Sequence, residues 1–216
     1  MQTLPQRLYL LCYTVDKSKF EAVDLQGRGQ LLRAGALAEL AFTGLLGTGE
    51  GKVVRLDAPP PADPFLADVW RDLPPDKPAK WLEFLHAKAH TAERPVRDQL
   101  VAAGAVTPPA KRTWSPLGSH KVTVNDPESV LALQRRARTA VLAYPDPAAV
   151  PPDELAMAVL ATECEVTTVL TGKERREHKR TLKALAARFD DAVPGLRRAL
   201  RDSFLSSRGT GGGWGR

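Results

Sequence analysis

Residues 31–46 read LLRAGALAELAFTGLL, and the fold turns on them. Leu32, Gly35, Ala36, Glu39, Leu40 and Thr43 fall at helical spacing on one side, while Leu37, Ala38, Ala41, Leu45 and Leu46 fill most of the other. A helix that is apolar nearly all round belongs inside a domain, packed by several neighbours. Ala and Leu are strong helix formers, so propensity agrees with pattern. Glycines bound the run on both sides, Gly27 and Gly29 before it and Gly44 to Gly51 after it. Two charges interrupt it. Glu39 reads as a carboxylate that caps or contacts another segment. Arg33 falls in the predicted first turn, where a helix N-terminus can hold an anion, and is the first candidate for a ligand contact.

A second apolar helix is expected over residues 155–170, ended by Gly172, as a packing partner for the first. Around these two, amphipathic segments follow one another. Residues 4–13 form a compact apolar run that is too short to tell helix from strand. Val53, Val54 and Leu56 read as a short strand closed by three prolines. Asp63 and Pro64 look like the N-cap and first position of a helix, and Trp81, Leu82 and Leu85 like the apolar side of the next. A helix over residues 94–103 ends at Gly104, a natural C-cap. The stretch from 111 to 124 predicts a hairpin, with Trp114 and Leu117 at its tip and Lys111, Arg112, His120 and Lys121 around it. Further helices are expected over 128–144, 173–189 and 194–205, then a flexible Gly-rich tail at 206–216. The reading is an all-α domain over residues 1–205, amphipathic helices around a buried central one, with a protruding β-hairpin.

The 216 residues suffice for a substantial core. Formal net charge is +6, and the excess sits from residue 171 onward. Cys12 and Cys164 lie in apolar stretches and read as buried free thiols of a reducing cytoplasm. No apolar run reaches the ~18 residues of a membrane span, and the start lacks a leader pattern. The chain is therefore expected in the cytoplasm or at a membrane surface. There is no Walker loop, dinucleotide fingerprint, HExxH or nucleophile elbow. His86 and His90 stand four apart with no third ligand nearby, which argues against a metal site. A binding module without cofactor is expected, rather than an enzyme.

The order LYLLCY, LLRAGALAELAFTGLL and VRDQLVAAGAV, then a proline-rich basic hairpin and a late apolar helix, resembles the Golgi phosphoprotein 3 family. The most specific pieces are Leu32, Arg33, Leu37, Glu39, Leu40 and Gly44 in the core, and the step from Leu100 through Gly104 to Val106. The resemblance implies an all-helical fold with a protruding hairpin. It also implies binding of phosphatidylinositol 4-phosphate, which eukaryotic members recognise on Golgi membranes. The Ala, Arg and Pro bias looks like the bacterial branch. Arg33 matches the family's lipid-binding arginine of the core helix. Arg94 and Arg97 keep the spacing of the family's arginine pair, one helical turn nearer Gly104, and His90 and Glu93 stand at the strict positions. The family's tryptophan before the core helix is absent. Lys111, Arg112, Trp114 and Leu117 then become the membrane-contact hairpin, which in the alternative joins subunits of a homo-oligomer.

Two function classes follow. One is a peripheral membrane protein holding an anionic, phosphoinositide-like headgroup with Arg33, Arg94 and Arg97. The other is a winged-helix-like nucleic-acid binder, since a helix followed by a basic hairpin on an alkaline chain also fits that reading. The helix before the hairpin lacks an exposed run of Asn, Gln, Ser and Arg for base edges, which makes nucleic acid the weaker partner.

Overall fold

The central helix starts ahead of its apolar run. In a computed structural model, which describes residues 2–20, 23–49, 51–108, 122–144 and 146–209, Asp24 caps it by accepting from the Gly27 N–H at 2.7 Å. The chain runs through α1 (Leu4–Leu11), the small pair β1 (Tyr13–Thr14) and β2 (Lys19–Phe20), and then this central helix, α2 (Leu25–Phe42). β3 (Leu46–Gly49) and β4 (Lys52–Arg55) form a hairpin; after α3 (Pro64–Asp72), β5 (Ala79–Lys80) adds to β4. α4 (Trp81–His86) and α5 (Ala89–Ala102) lead to β6 (Val106–Thr107), which pairs antiparallel with β7 (Thr123–Val124). Then come α6 (Pro127–Leu142), α7 (Pro152–Glu163), α8 (Gly172–Glu177), α9 (Lys179–Ala192) and α10 (Leu196–Gly209).

The protein is one mostly helical domain. α2 is buried without a break from Gly27 to Ala38 and packs on α1, α3, α4, α5, α7 and α10. Leu37, Leu40, Val159 and Leu160 are all in the core, so the two apolar helices are the buried ones, as their patterns require. The glycines before the run are inside the helix rather than in front of it. At Gly29 an added Cβ would stand 1.8 Å from the Ala89 carbonyl oxygen, so α5 crosses α2 backbone against backbone. Close approach, not a turn, explains that glycine.

Helix ends follow one closure. After α2 the Leu45 N–H reaches Leu40 O at 2.9 Å and the Gly44 N–H reaches Ala41 O at 3.1 Å. After α5 Ala105 and Gly104 do the same with Leu100 and Val101, at 2.9 and 3.0 Å. This is the paired bonding of a Schellman motif, with a left-handed residue after the cap. α7 uses it too, with Glu165 at φ 53° in the usual glycine position. That turn ends α7 at Glu163, before the expected Leu170, and Val166, Val169 and Leu170 are buried as irregular chain.

Other expectations need correction. Residues 173–189 are not one helix: Thr171 and Glu174 form a capping box, so Gly172 opens α8, and the chain breaks at His178 before α9. Leu82 points outward at 43% exposure, and Phe84 takes its place in the core beside Trp81 and Leu85. α5 begins at Ala89, with Pro95 inside it. α10 continues past residue 205 to Gly209. Only the base of the expected 111–124 hairpin is described, with Val106 opposite Val124 and Thr107 opposite Thr123. Asn125 braces it, donating to Gly104 O at 2.8 Å and accepting from the Thr107 hydroxyl at 2.7 Å. Lys111, Arg112, Trp114 and Leu117 lie outside the described residues.

Candidate functional site

Arg33 sits in the middle of α2, not in its first turn, because the helix begins at Leu25. Its side chain is 4% exposed. It does not face solvent as expected. Its Nε donates to the carbonyl of Phe84, near the end of α4, and its Nη2 donates to Asp72 Oδ2 at 3.1 Å. Burial pulls its pKa below the usual arginine value, and the hydrogen bond and charge of Asp72 act against that pull. The acid that meets Arg33 comes from the last residue of α3.

Asp72 is shared. Its Oδ1 accepts from Lys88 Nζ at 2.6 Å, so two cations, from α2 and from the residue before α5, converge on one carboxylate. Lys88 is the N-cap of α5 in a left-handed conformation, with φ 58°, and it makes no side-chain cap. The first turn of that helix therefore keeps N–H groups without a side-chain acceptor, beside two positive charges. Arg33, Asp72 and Lys88 line an open pocket of ≈ 300 Å³, completed by Arg71 at its rim and Phe65 and Pro95 on its apolar side. Chemically this is a mouth of three cations and two acids, Asp72 held by Arg33 and Lys88 and Asp68 held by Arg71 at 2.5 Å.

The other two arginines do not join it. Arg94 is 79% exposed and stands 3.6 Å from Asp98; Arg97 is 13% exposed and also meets Asp98, at 3.2 Å. Neither lines the Arg33 pocket. Glu93, next to Arg94 on α5, is buried against Arg28. Arg28 is the true first-turn arginine of α2, and it also donates to Val23 O at 2.5 Å and lies 5.2 Å from the Phe20 ring centroid.

Sequence reasoning missed Arg28, Asp72 and Lys88. Arg28 was hidden between two glycines that read as a turn, although an arginine four residues past an Asp cap signals a first turn. Asp72 closes α3, and nothing in its own stretch of sequence marks it as the partner of a buried arginine. Nothing local marks Lys88, whose role comes only from the crossing of α5 over α2. Glu39 behaves as read: its Oε2 accepts from the Leu4 N–H at 2.6 Å and satisfies the start of α1.

The sequence model of the family described as Golgi phosphoprotein 3 matches residues 4–203. The chain belongs to the Golgi phosphoprotein 3 family. The match spans nearly the whole helical body, from α1 into α10, and includes the Arg33 pocket and the base of the hairpin. No curated protein matches the chain significantly. Among the described residues, no helix is long and apolar enough to cross a membrane. Within the matched residues, Arg33 of the central helix is enclosed, and Glu93 is engaged by Arg28.

Proposed function

We propose that this Golgi phosphoprotein 3 family member is a peripheral membrane protein, not an enzyme, that recognises an anionic phospholipid headgroup. By likeness to the family, the headgroup is phosphatidylinositol 4-phosphate. The observation that carries the reading is the convergence of Arg33 and Lys88 on the Asp72 carboxylate, in a pocket open to solvent. A carboxylate held by two cations beside an uncapped helix start marks a place where a phosphate can compete. Lys88, 63% exposed and paired with Asp72, and Arg71, 58% exposed and paired with Asp68, would exchange those surface acids for a headgroup phosphate, while Arg33 stays anchored on Phe84 O. Arg94 adds a surface cation on the same helix, and each cation near an anionic bilayer contributes ~1 kcal/mol. Lys111, Arg112, Trp114 and Leu117 supply the basic and apolar contact of the hairpin.

Flotation with phosphatidylcholine vesicles containing phosphatidylinositol 4-phosphate tests this reading. The double substitution Lys88→Ala, Arg71→Ala is expected to weaken binding roughly tenfold or more, the equivalent of one lost charge-assisted bond. Asp72→Asn, which removes the internal competitor, is expected to strengthen it. Trp114→Ser with Leu117→Ser is expected to weaken it at unchanged thermal midpoint. Binding that ignores Lys88, Arg71 and Asp72 together sinks the pocket assignment. Retardation of DNA without vesicle binding favours the nucleic-acid reading instead.

A further inference from the structure

A second basic cleft lies far along the chain from the Arg33 pocket, between α7, α8, α9 and α10, with a volume of ≈ 460 Å³. Its charges divide into two sets. Glu163 and Asp190 are fully met from α10: Arg197 grips Asp190 at 2.6–3.0 Å and Glu163 at 2.9 Å, and Arg201 grips Glu163 at 2.6 and 2.9 Å. Two acids are thereby matched by two arginines. The cations left over are Arg175, Lys179 and Lys183. Lys179 and Lys183 are one helical turn apart on α9, with no ion-pair partner among the described residues. Arg175 has only a distant acid, Glu165 at 3.8 Å, and its Nη1 is buried with no hydrogen-bond partner among the described residues. A covered guanidinium donor without an acceptor is a standing cost that a ligand oxygen or water relieves. The wall beside these cations is apolar, built from Val159, Leu182, Ala186 and Ala187.

We infer that this cleft is a second anion site, built for a phosphate monoester carried on a small apolar group. The doubly charged phosphate answers Lys179, Lys183 and Arg175, and the apolar group lies on Leu182 and Val159. The Glu163 and Asp190 network holds α10 against α7 and α9 and keeps the acids from neutralising the mouth. This inference does not rest on the Arg33 reading.

Phenyl phosphate, measured by equilibrium dialysis against the full chain, is the first probe. Saturable binding is expected, tighter than that of inorganic phosphate. Lys179→Ala with Lys183→Ala is expected to lower affinity roughly tenfold or more. Arg176→Ala with Arg180→Ala removes the same charge from the neighbouring surface outside the cleft, and is expected to leave affinity nearly unchanged. Phosphatidylcholine vesicles carrying phosphatidic acid form the second arm and present the same monoester from a bilayer. Cleft-dependent binding in the first arm assigns a soluble ligand, and cleft-dependent binding confined to the second assigns a membrane-borne one. Equal losses from the two double substitutions, inorganic phosphate binding as tightly as phenyl phosphate, or no binding in either arm overturns the site.

Discussion

Arg28 Nε and Nη2 both donate to Glu93 Oε2, at 2.9 and 2.7 Å, with side chains only 4% and 5% exposed. The pair ties the first turn of α2 to α5 where the two helices cross most closely. Removing one partner strands a buried charge, which typically costs ~3–5 kcal/mol. Arg28→Ala or Glu93→Ala is expected to lose that much in urea unfolding. The double substitution Arg28→Met, Glu93→Met is expected to recover most of the loss. Additive losses would show that the two residues do not depend on each other.

Gly29 predicts a steric result. Its Cβ would meet the Ala89 carbonyl at 1.8 Å, and a backbone atom cannot step aside as a flexible side chain does. Gly29→Ala is expected to cost ~1–3 kcal/mol or more by forcing the helices apart. Gly49→Ala, which meets nothing within 4 Å, serves as the control. Thermal unfolding of the two variants separates crowding from a generic glycine effect.

Glu39 predicts opposite results for two substitutions. Burial raises its pKa, against the lowering effect of the Leu4 N–H and Arg7. A carboxyl raised on folding favours the folded state at acid pH, and that contribution is lost as pH rises through the raised value. Glu39→Gln keeps an oxygen for the Leu4 N–H without the buried charge. It is expected to gain on the wild type as pH moves from acid to neutral. Glu39→Ala leaves the start of α1 unmet and is expected to cost about 0.5–2 kcal/mol at acid pH, a cost that shrinks towards neutral pH as the wild-type carboxyl ionises. Denaturation curves at acid and neutral pH distinguish the two.

Glu174 titrates the other way. The Arg138 guanidinium first, and the Thr171 N–H and hydroxyl after it, hold its pKa at about 2 against an ordinary 4.5. Its contribution is present above the ordinary value and is lost as pH falls through about 2. Carbon NMR of the carboxyl is expected to give that midpoint, and Arg138→Ala is expected to move it up towards the ordinary range. An unmoved midpoint would place the cause in the cap of α8 alone.

Cys12 and Cys164 predict silence. Both are fully buried, and burial first of all pushes the Cys12 thiol up to about 12 and the Cys164 thiol well above its ordinary value. The thiolate is the reactive form, so a thiol reagent at neutral pH is expected to label neither in the native protein and both in denaturant. Native labelling would reveal opening of α1 or of the turn after α7.

The buried helices were legible in the residues alone, because hydrophobic periodicity is a local property. Leu37, Leu40, Val159 and Leu160 can satisfy their side chains only inside, whatever the topology. Helix caps were legible where they are chemical, as at Asp63 and Gly104, since cap and helix lie within a few residues. Local pattern failed where tertiary packing reused a residue: Gly27 and Gly29 read as punctuation, yet Gly27 makes room for Phe204 of α10 and Gly29 for the Ala89 backbone of α5. The candidate site was half legible for the same reason. Arg33 stands out in its own sequence, but its partners, Asp72 and the Phe84 carbonyl, arrive from α3 and α4, and Lys88 from the turn before α5. Whether a charged side chain faces water or a buried acid depends on which segments pack over it, and only the assembled helices decide that.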